Sequence, residues 1–253
     1  MVDLEERGPF DAVVHLAGAG IGDKRWTPAR KAEILGSRVD GTSLLAARCA
    51  ALSVQPSVFV SGSAIGFYGS HDDVILSESS PVGDGFLADV CLHWENAASP
   101  IQEAGVRTVF ARTGVVLDPS GGALAKQLPL FRWGLGGKLG AGTQWFSWIT
   151  LQDEVAALLA LIDDDRYAGP VNLTGPNPVT NEAFTKSLSG AVHRPALFRV
   201  PGFALSAALG AELADQAILA SSRVIPGVLN DFGFQFEHPE IDEALVAILG
   251  LAS

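Results

Sequence analysis

Residues 11–20 read DAVVHLAGAG. Four apolar residues, Ala12, Val13, Val14 and Leu16, run into Ala17-Gly18-Ala19-Gly20. A short apolar run closed by glycines predicts a buried strand that ends in a loop of close backbone approach. The pattern recurs in "SVFVSGS" (57–63), "VRTVFAR" (106–112) and "GPVNLTG" (169–175).

Helical patterns separate these runs. Thr27-Pro28 is an N-cap followed by proline at the first helical position. It opens "ARKAEIL", which continues or restarts at "GTSLLAARCAAL". "FLADVCLHWENAASPIQEAG" puts Leu87, Cys91, Trp94 and Ala98 on one stripe and predicts a single helix ended by Gly105. "LQDEVAALLALIDD" follows, with Asp153 and Glu154 in its first turn, where acids favour the helix dipole. Both acids read as structural.

Strands alternating with helices imply parallel pairing through right-handed crossovers, an α/β doubly wound sheet. Ligands of such sheets sit beyond the carboxyl ends of the strands. Those ends are Ala17-Gly18, Ser61-Gly62-Ser63, Arg112-Thr113-Gly114 and Leu173-Thr174-Gly175, all small, polar or glycine-bearing apart from Arg112 and Leu173. Together they predict a cleft floor. From about position 180 the pattern turns helical. Thr180 caps "NEAFTKSLSGAV", "ALFRVP" is a short strand, and "IDEALVAILG" is a last amphipathic helix.

The chain has 253 residues, a net charge of −11 and a pI near 4.8. That balance argues against nucleic acid or an anionic membrane as partner, which would need a basic face. "PGFALSAALGAELADQAILASS" is broken by Glu212 and Asp215, so it does not make an uninterrupted span of ~20 residues. Cys49 and Cys91 give no disulfide framework, and "MVDLEERGPF" is no secretory signal. These features predict a cytoplasmic protein. The five histidines show no metal-ligand spacing, and no G-x-S-x-G elbow occurs.

The blocks "VVHLAGAGI", "SGSAIGFYG", "FLADVCLHWE", "GLGGKLGAGTQWFSWI" and "GPVNLTGPNPVTNEAFTKSL" resemble, in order, the NAD-dependent epimerase/dehydratase family of the extended short-chain dehydrogenase/reductase superfamily. More narrowly they resemble a subgroup of uncharacterised epimerase-family oxidoreductases, whose C-terminal domain the tail from about 204 also resembles. The resemblance implies a Rossmann-like, mostly parallel sheet over residues 1–178, with a substrate-loop insertion at about 119–150. A small, mainly helical lobe would occupy 179–253. It implies an NAD(P)-dependent oxidoreductase, with NADP favoured over NAD, acting on a small-molecule substrate that could be like a nucleotide sugar.

Two departures qualify that expectation. The family opens with a strand, a G-x-x-G-x-x-G loop and a helix, and this sequence has no such motif. Gly18-Ala19-Gly20-Ile21-Gly22 follows what matches the family's fourth strand. "MVDLEERGPF" resembles the segment just before that strand, which raises Met1 as an internal methionine and "DAVVHLAG" as an exposed edge. Such an edge invites pairing into a homodimer. Secondly, aligning the family's glutamate with Glu95 puts Leu87 and Cys91 where its Tyr-x-x-x-Lys pair stands. Leucine has no proton to give, and a thiol is no permanent cation. An NADP-binding sensor without turnover, or an inactive fragment, is the alternative reading.

By family position, Ser63 and Tyr68 are the catalytic candidates. Ser61 is an alternate for Ser63, and a packing tyrosine is the alternate reading of Tyr68. Leu16, Ala17, Gly18, Ser61, Gly62, Arg112, Thr113 and Gly114 are the cofactor-binding candidates. Lys138, Gln144 and Trp148 would line the substrate pocket, and no residue is expected to bind metal.

Overall fold

The computed structural model describes residues 4–250, so Met1 and the expectation attached to it lie outside the described residues. In chain order the first half comprises β1 (Ala12–His15), α1 (Pro28–Ala50), β2 (Val58–Ala64), β3 (Ile75–Leu76), α2 (Phe86–Asn96), α3 (Ser99–Glu103), β4 (Arg107–Thr113), β5 (Val115–Leu117) and α4 (Gly122–Arg132). There follow β6 (Gly137–Leu139), β7 (Trp145–Phe146), β8 (Trp148–Thr150), α5 (Leu151–Asp163), β9 (Gly169–Leu173), β10 (Val179–Thr180) and α6 (Asn181–Ala191). The last part holds β11 (Phe198–Val200), α7 (Gly202–Leu209), α8 (Ala211–Leu213), a π-turn at Ala214–Ile218, β12 (Arg223–Val224), α9 (Gly227–Asp231) and α10 (Ile241–Ile248).

The four apolar runs form one parallel sheet in the order β1-β2-β4-β9. Val14 pairs with Val60, Val60 with Val109, and Ala111 with Val171. Side chains alternate across it. Phe59 and Phe110 pack with Ala46, Cys49 and Ile101 on the α1/α3 side. Val58, Val60, Val109 and Ala111 pack with Ala157 and Leu161 of α5 on the other. This is the Rossmann-like α/β architecture that the strand–helix alternation predicts. β1 stands at one edge, with Val14 and Leu16 40% and 50% exposed.

Two helix readings change. The "ARKAEIL" and "GTSLLAARCAAL" segments are one continuous helix of 23 residues, capped as read by the Thr27 hydroxyl accepting from Arg30 N. The expected single helix from residue 86 breaks at Ala97–Ala98, because Pro100 has no amide proton for the helical ladder and sits in the first turn of a new helix.

The segment after residue 178 is woven into the rest. β10 pairs with β7, β11 with β6 and β12 with β3. Phe232, Phe234 and Phe236 pack on the α5 side of the sheet, while Phe184 and Leu245 share a core with Leu124 and Trp148. Among the described residues no helix is long and apolar enough to cross a membrane. Nor does any group of three His, Cys, Asp or Glu side chains among them sit as a metal cage.

Candidate active site

At the carboxyl end of the sheet lies a cavity of about 380 Å³. Leu87, Val90, Cys91 and Trp94 form one wall of it. Their i, i+3, i+4, i+7 spacing places them on one face of α2. Thr113 and Gly114 form the floor, and Gln144, Trp145 and Phe146 come from the substrate loop. Gln216, Ala217 and Ile218 of the π-turn close it from the C-terminal segment. Gln144 and Trp145 also line a more open polar cleft of about 740 Å³ that includes Asp73, Thr180 and Arg199.

The structure brings only Thr113, Gly114 and Gln144 of the sequence-derived candidates into the cavity wall. Ser63 and Tyr68 lie behind it. The Ser63 hydroxyl donates to Glu95 Oε1 at 2.7 Å, and Tyr68, wholly buried, donates to Asn172 Oδ1 at 2.6 Å. Burial pushes the Tyr68 phenol pKa up, against the pull of the Arg112 guanidinium. Arg112 does not reach outward either. It grips Glu95 through Nε and Nη2 at 2.8 and 2.9 Å, donates to the Tyr68 hydroxyl at 3.0 Å, and lies 3.5 Å from the centroid of the Phe67 ring.

Gly62 is demanded by packing. A Cβ there would lie 2.7 Å from the Trp94 ring and 3.3 Å from the His15 carbonyl oxygen. Ser61 is buried and its hydroxyl donates to Gly62 O at 3.2 Å. Leu16, Ala17 and Gly18 are exposed at the end of the edge strand, with Gly18 against the Arg38 side chain. Trp148 is a correction. It is fully buried among Leu117, Phe184 and Leu188, and its indole N–H donates to Asn177 O at 3.1 Å. Its strand, β8, lies beside β5 and carries the ring into that core, while Trp145 and Phe146 of β7 line the cavity. Lys138 is held outside by Glu182 at 2.5 Å, where the ammonium lowers the carboxyl pKa.

The glycine-rich loop after β1 carries its own occupants. The carbonyls of Ala19, Gly20, Ile21 and Gly22 accept from Arg38, Arg30, Trp26 and Lys126 in turn. Ala19 N donates to the Ser37 hydroxyl. With Ala19 N committed to Ser37, the loop does not present the run of free consecutive N–H groups that cradles a pyrophosphate. The Thr113–Gly114 floor does fit the flat nicotinamide end of a dinucleotide. It is small and lies at the strand ends, and the glycine itself answers to packing, since a Cβ on Gly114 would meet Ser147 O and the Thr174 methyl at 2.9 Å.

Leu87 and Cys91 do face the cavity, as the Tyr-x-x-x-Lys alignment implies. Burial, then the nearby Glu95 charge, pushes the Cys91 thiol up to about 12, so it stays protonated. Sequence reasoning missed Arg38, Val90, Trp94 and Gln216 as lining residues. The stripe on α2 was the one available signal for Trp94, and no comparable signal marked the other three.

The fold and this strand-end cavity define a dinucleotide-type α/β protein of the extended short-chain dehydrogenase/reductase kind. The chain belongs to the NAD dependent epimerase/dehydratase family, whose pattern matches residues 2–173, and a domain of unknown function, DUF1731, matches residues 200–248. It is 47% identical over 235 residues to the epimerase family protein Mb2239 of Mycobacterium bovis, covering 93% of this chain and 77% of that one. It is 39% identical to the chloroplastic SDR39U1 homolog of Arabidopsis thaliana, over 94% of this chain and 68% of that one. The crystal structure of human epimerase family protein SDR39U1 (isoform2) with NADPH is similar at a TM-score of 0.92 and 32% identity, over 97% of this chain and 83% of that one. A nucleoside-diphosphate sugar epimerase from Corynebacterium glutamicum is similar at a TM-score of 0.77 and 38% identity, over 95% of this chain and 46% of that one.

Proposed function

We propose that this chain carries out NADP(H)-dependent oxidoreductase chemistry on a small molecule held in the strand-end cavity. The cofactor supplies or accepts hydride when bound. Thr113 and Gly114 would seat its nicotinamide end, and Leu16, Ala17 and Gly18 would lie toward its adenosine side. The observation that carries this reading is the cavity beside Gly114, enclosed by α2, the substrate loop and the π-turn among others. The likeness to the NADPH-bound human protein over 97% of the chain supports it.

The chain's own residues bind, orient and exclude water. Leu87, Val90 and Trp94 keep the cavity apolar, and Cys91 holds its proton on Sγ. Ser63, Tyr68 and Arg112 would act as positioning residues, fixing α2 against the sheet through Glu95 rather than touching substrate. A second reading is favoured by the same wall. Leu87 and Cys91 offer no proton-transfer pair tuned near neutral pH, which suits a protein that binds cofactor and senses it without turnover.

Titration of the chain with NADPH and NADH, followed by nicotinamide fluorescence, tests the first step. NADPH binding tighter than about 1 mM is expected. A dissociation constant weaker than about 1 mM, roughly 4 kcal/mol of binding, overturns the cofactor assignment. Binding without turnover across aldehydes, ketones and alcohols selects the second reading.

A further inference from the structure

We infer that the ligand this cavity takes beside the cofactor is an uncharged, largely apolar carbonyl or alcohol compound anchored by one oxygen at Arg38, and not a nucleotide sugar. The inference rests on the reading that this cavity is the substrate site.

The walls come first. Leu87, Val90 and Trp94 on α2 face Leu139, Phe146 and Ile218. Burying a ligand there rewards apolar area and penalises each polar group left unpaired. The polar side chains among these walls are largely engaged with the protein. Gln144 Nε2 donates to Leu139 O at 3.1 Å. Ser147 Oγ donates to Ser222 O at 2.7 Å and accepts from Val224 N at 2.9 Å. Gln216 Oε1 accepts from Leu87 N at 3.2 Å. A sugar ring would find few free partners for its hydroxyls.

Charge points the same way. Arg38 is the one basic side chain lining the cavity among the described residues, against two exposed carboxylates, Asp84 and Asp215. Arg38 is fixed in place. Its Nη1 donates to Ala19 O at 2.9 Å and Ile34 O at 3.1 Å, and its guanidinium lies 4.9 Å from the centroid of the Trp94 ring. Both bonds use one nitrogen, so the guanidinium keeps donors for one ligand oxygen. A diphosphate would bring its charge past two carboxylates to a single cation already shared with two carbonyls. At about 380 Å³ the cavity is also at the small end of ligand sites.

The test uses prodan, a neutral naphthyl ketone whose emission shifts to the blue in apolar surroundings. Prodan should bind the chain with a blue shift, and UDP-glucose or pyrophosphate at about 1 mM should leave that signal unchanged. Leu87→Trp and Ala123→Trp fill the cavity from different elements and should each weaken prodan by at least about tenfold. Circular dichroism selects whichever variant folds. Trp133→Ser, at a side chain 82% exposed on the surface, should change nothing and so excludes adhesion to that surface. Displacement of prodan by UDP-glucose overturns the inference, as does prodan binding that both folded cavity variants leave intact, or no binding at all. Failure of NADPH to bind while prodan still enters the cavity overturns the cofactor reading alone, and so separates the two claims.

Discussion

Arg112 and Glu95 form a two-point ion pair beneath the ligand edge of the sheet, Nε to Oε1 at 2.8 Å and Nη2 to Oε2 at 2.9 Å. The residues are 4% and 8% exposed. Breaking a buried pair from one side leaves an uncompensated charge, at a cost of about 3–5 kcal/mol. Glu95→Gln should therefore lower unfolding free energy by roughly 3 kcal/mol. The double variant Glu95→Gln/Arg112→Met should recover part of that loss. Urea denaturation of the four members of the cycle checks it, and strictly additive losses would show that the pair is not coupled.

Tyr68 and Ser63 hang on the same pair. Tyr68→Phe removes the donor to Asn172 and the acceptor for Arg112, and should cost about 1–3 kcal/mol of stability. Ser63→Ala should cost about 1 kcal/mol. Neither should alter NADPH affinity or the pH profile of any turnover found, because neither hydroxyl reaches the cavity. A turnover number that falls about a hundredfold in Tyr68→Phe, with stability intact, would restore the phenol as the acid–base group.

Glu154 is 7% exposed, accepts one bond from the Thr113 hydroxyl at 2.8 Å, and has its Oε2 buried without a partner. Burial raises its pKa to about 7, and the Thr113 bond only partly opposes that. A carboxyl with a raised folded-state pKa is neutral in the native protein at low pH. Native stability is then lost as pH climbs from the ordinary carboxyl value toward 7. Glu154→Gln should match the parent near pH 4.5 and exceed it by about 2 kcal/mol at pH 8. Thermal midpoints of both proteins across that range give the answer, and a gap that does not change with pH refutes it.

Gly62→Ala should destabilise the fold by about 1–3 kcal/mol through overpacking against Trp94. Trp94→Phe on the same background should restore part of the loss by vacating the indole's outer ring. Stability of the parent and both variants by denaturant titration decides whether packing or a ligand requires that glycine. An alanine tolerated in the apoprotein but damaging to NADPH binding would favour the ligand.

The four strands, their parallel order and the strand-end location of the cleft were legible because period, glycine punctuation and capping are local signals. Pro100 was an equally local signal for the helix break. Trp148 and Trp145 show where local reading fails. Both stand in one tryptophan-bearing stretch, and only the pairing of two short strands, β7 with β10 and β8 with β5, decides which is core and which faces the cavity. Ser63, Tyr68 and Arg112 look like site residues from their place at strand ends, yet each is bound up with side chains far along the chain: Glu95, Asn172 and Phe67.

The sequence by itself determined the α/β class, the family and the edge of the sheet at which a ligand belongs, since these follow from patterns within short windows. Which side chains line the cavity was decided by tertiary structure alone. Arg38, Trp94, Phe146 and Gln216 meet there across long stretches of chain. Whether a polar group at a strand end is free for chemistry depends on the partner that burial requires it to find.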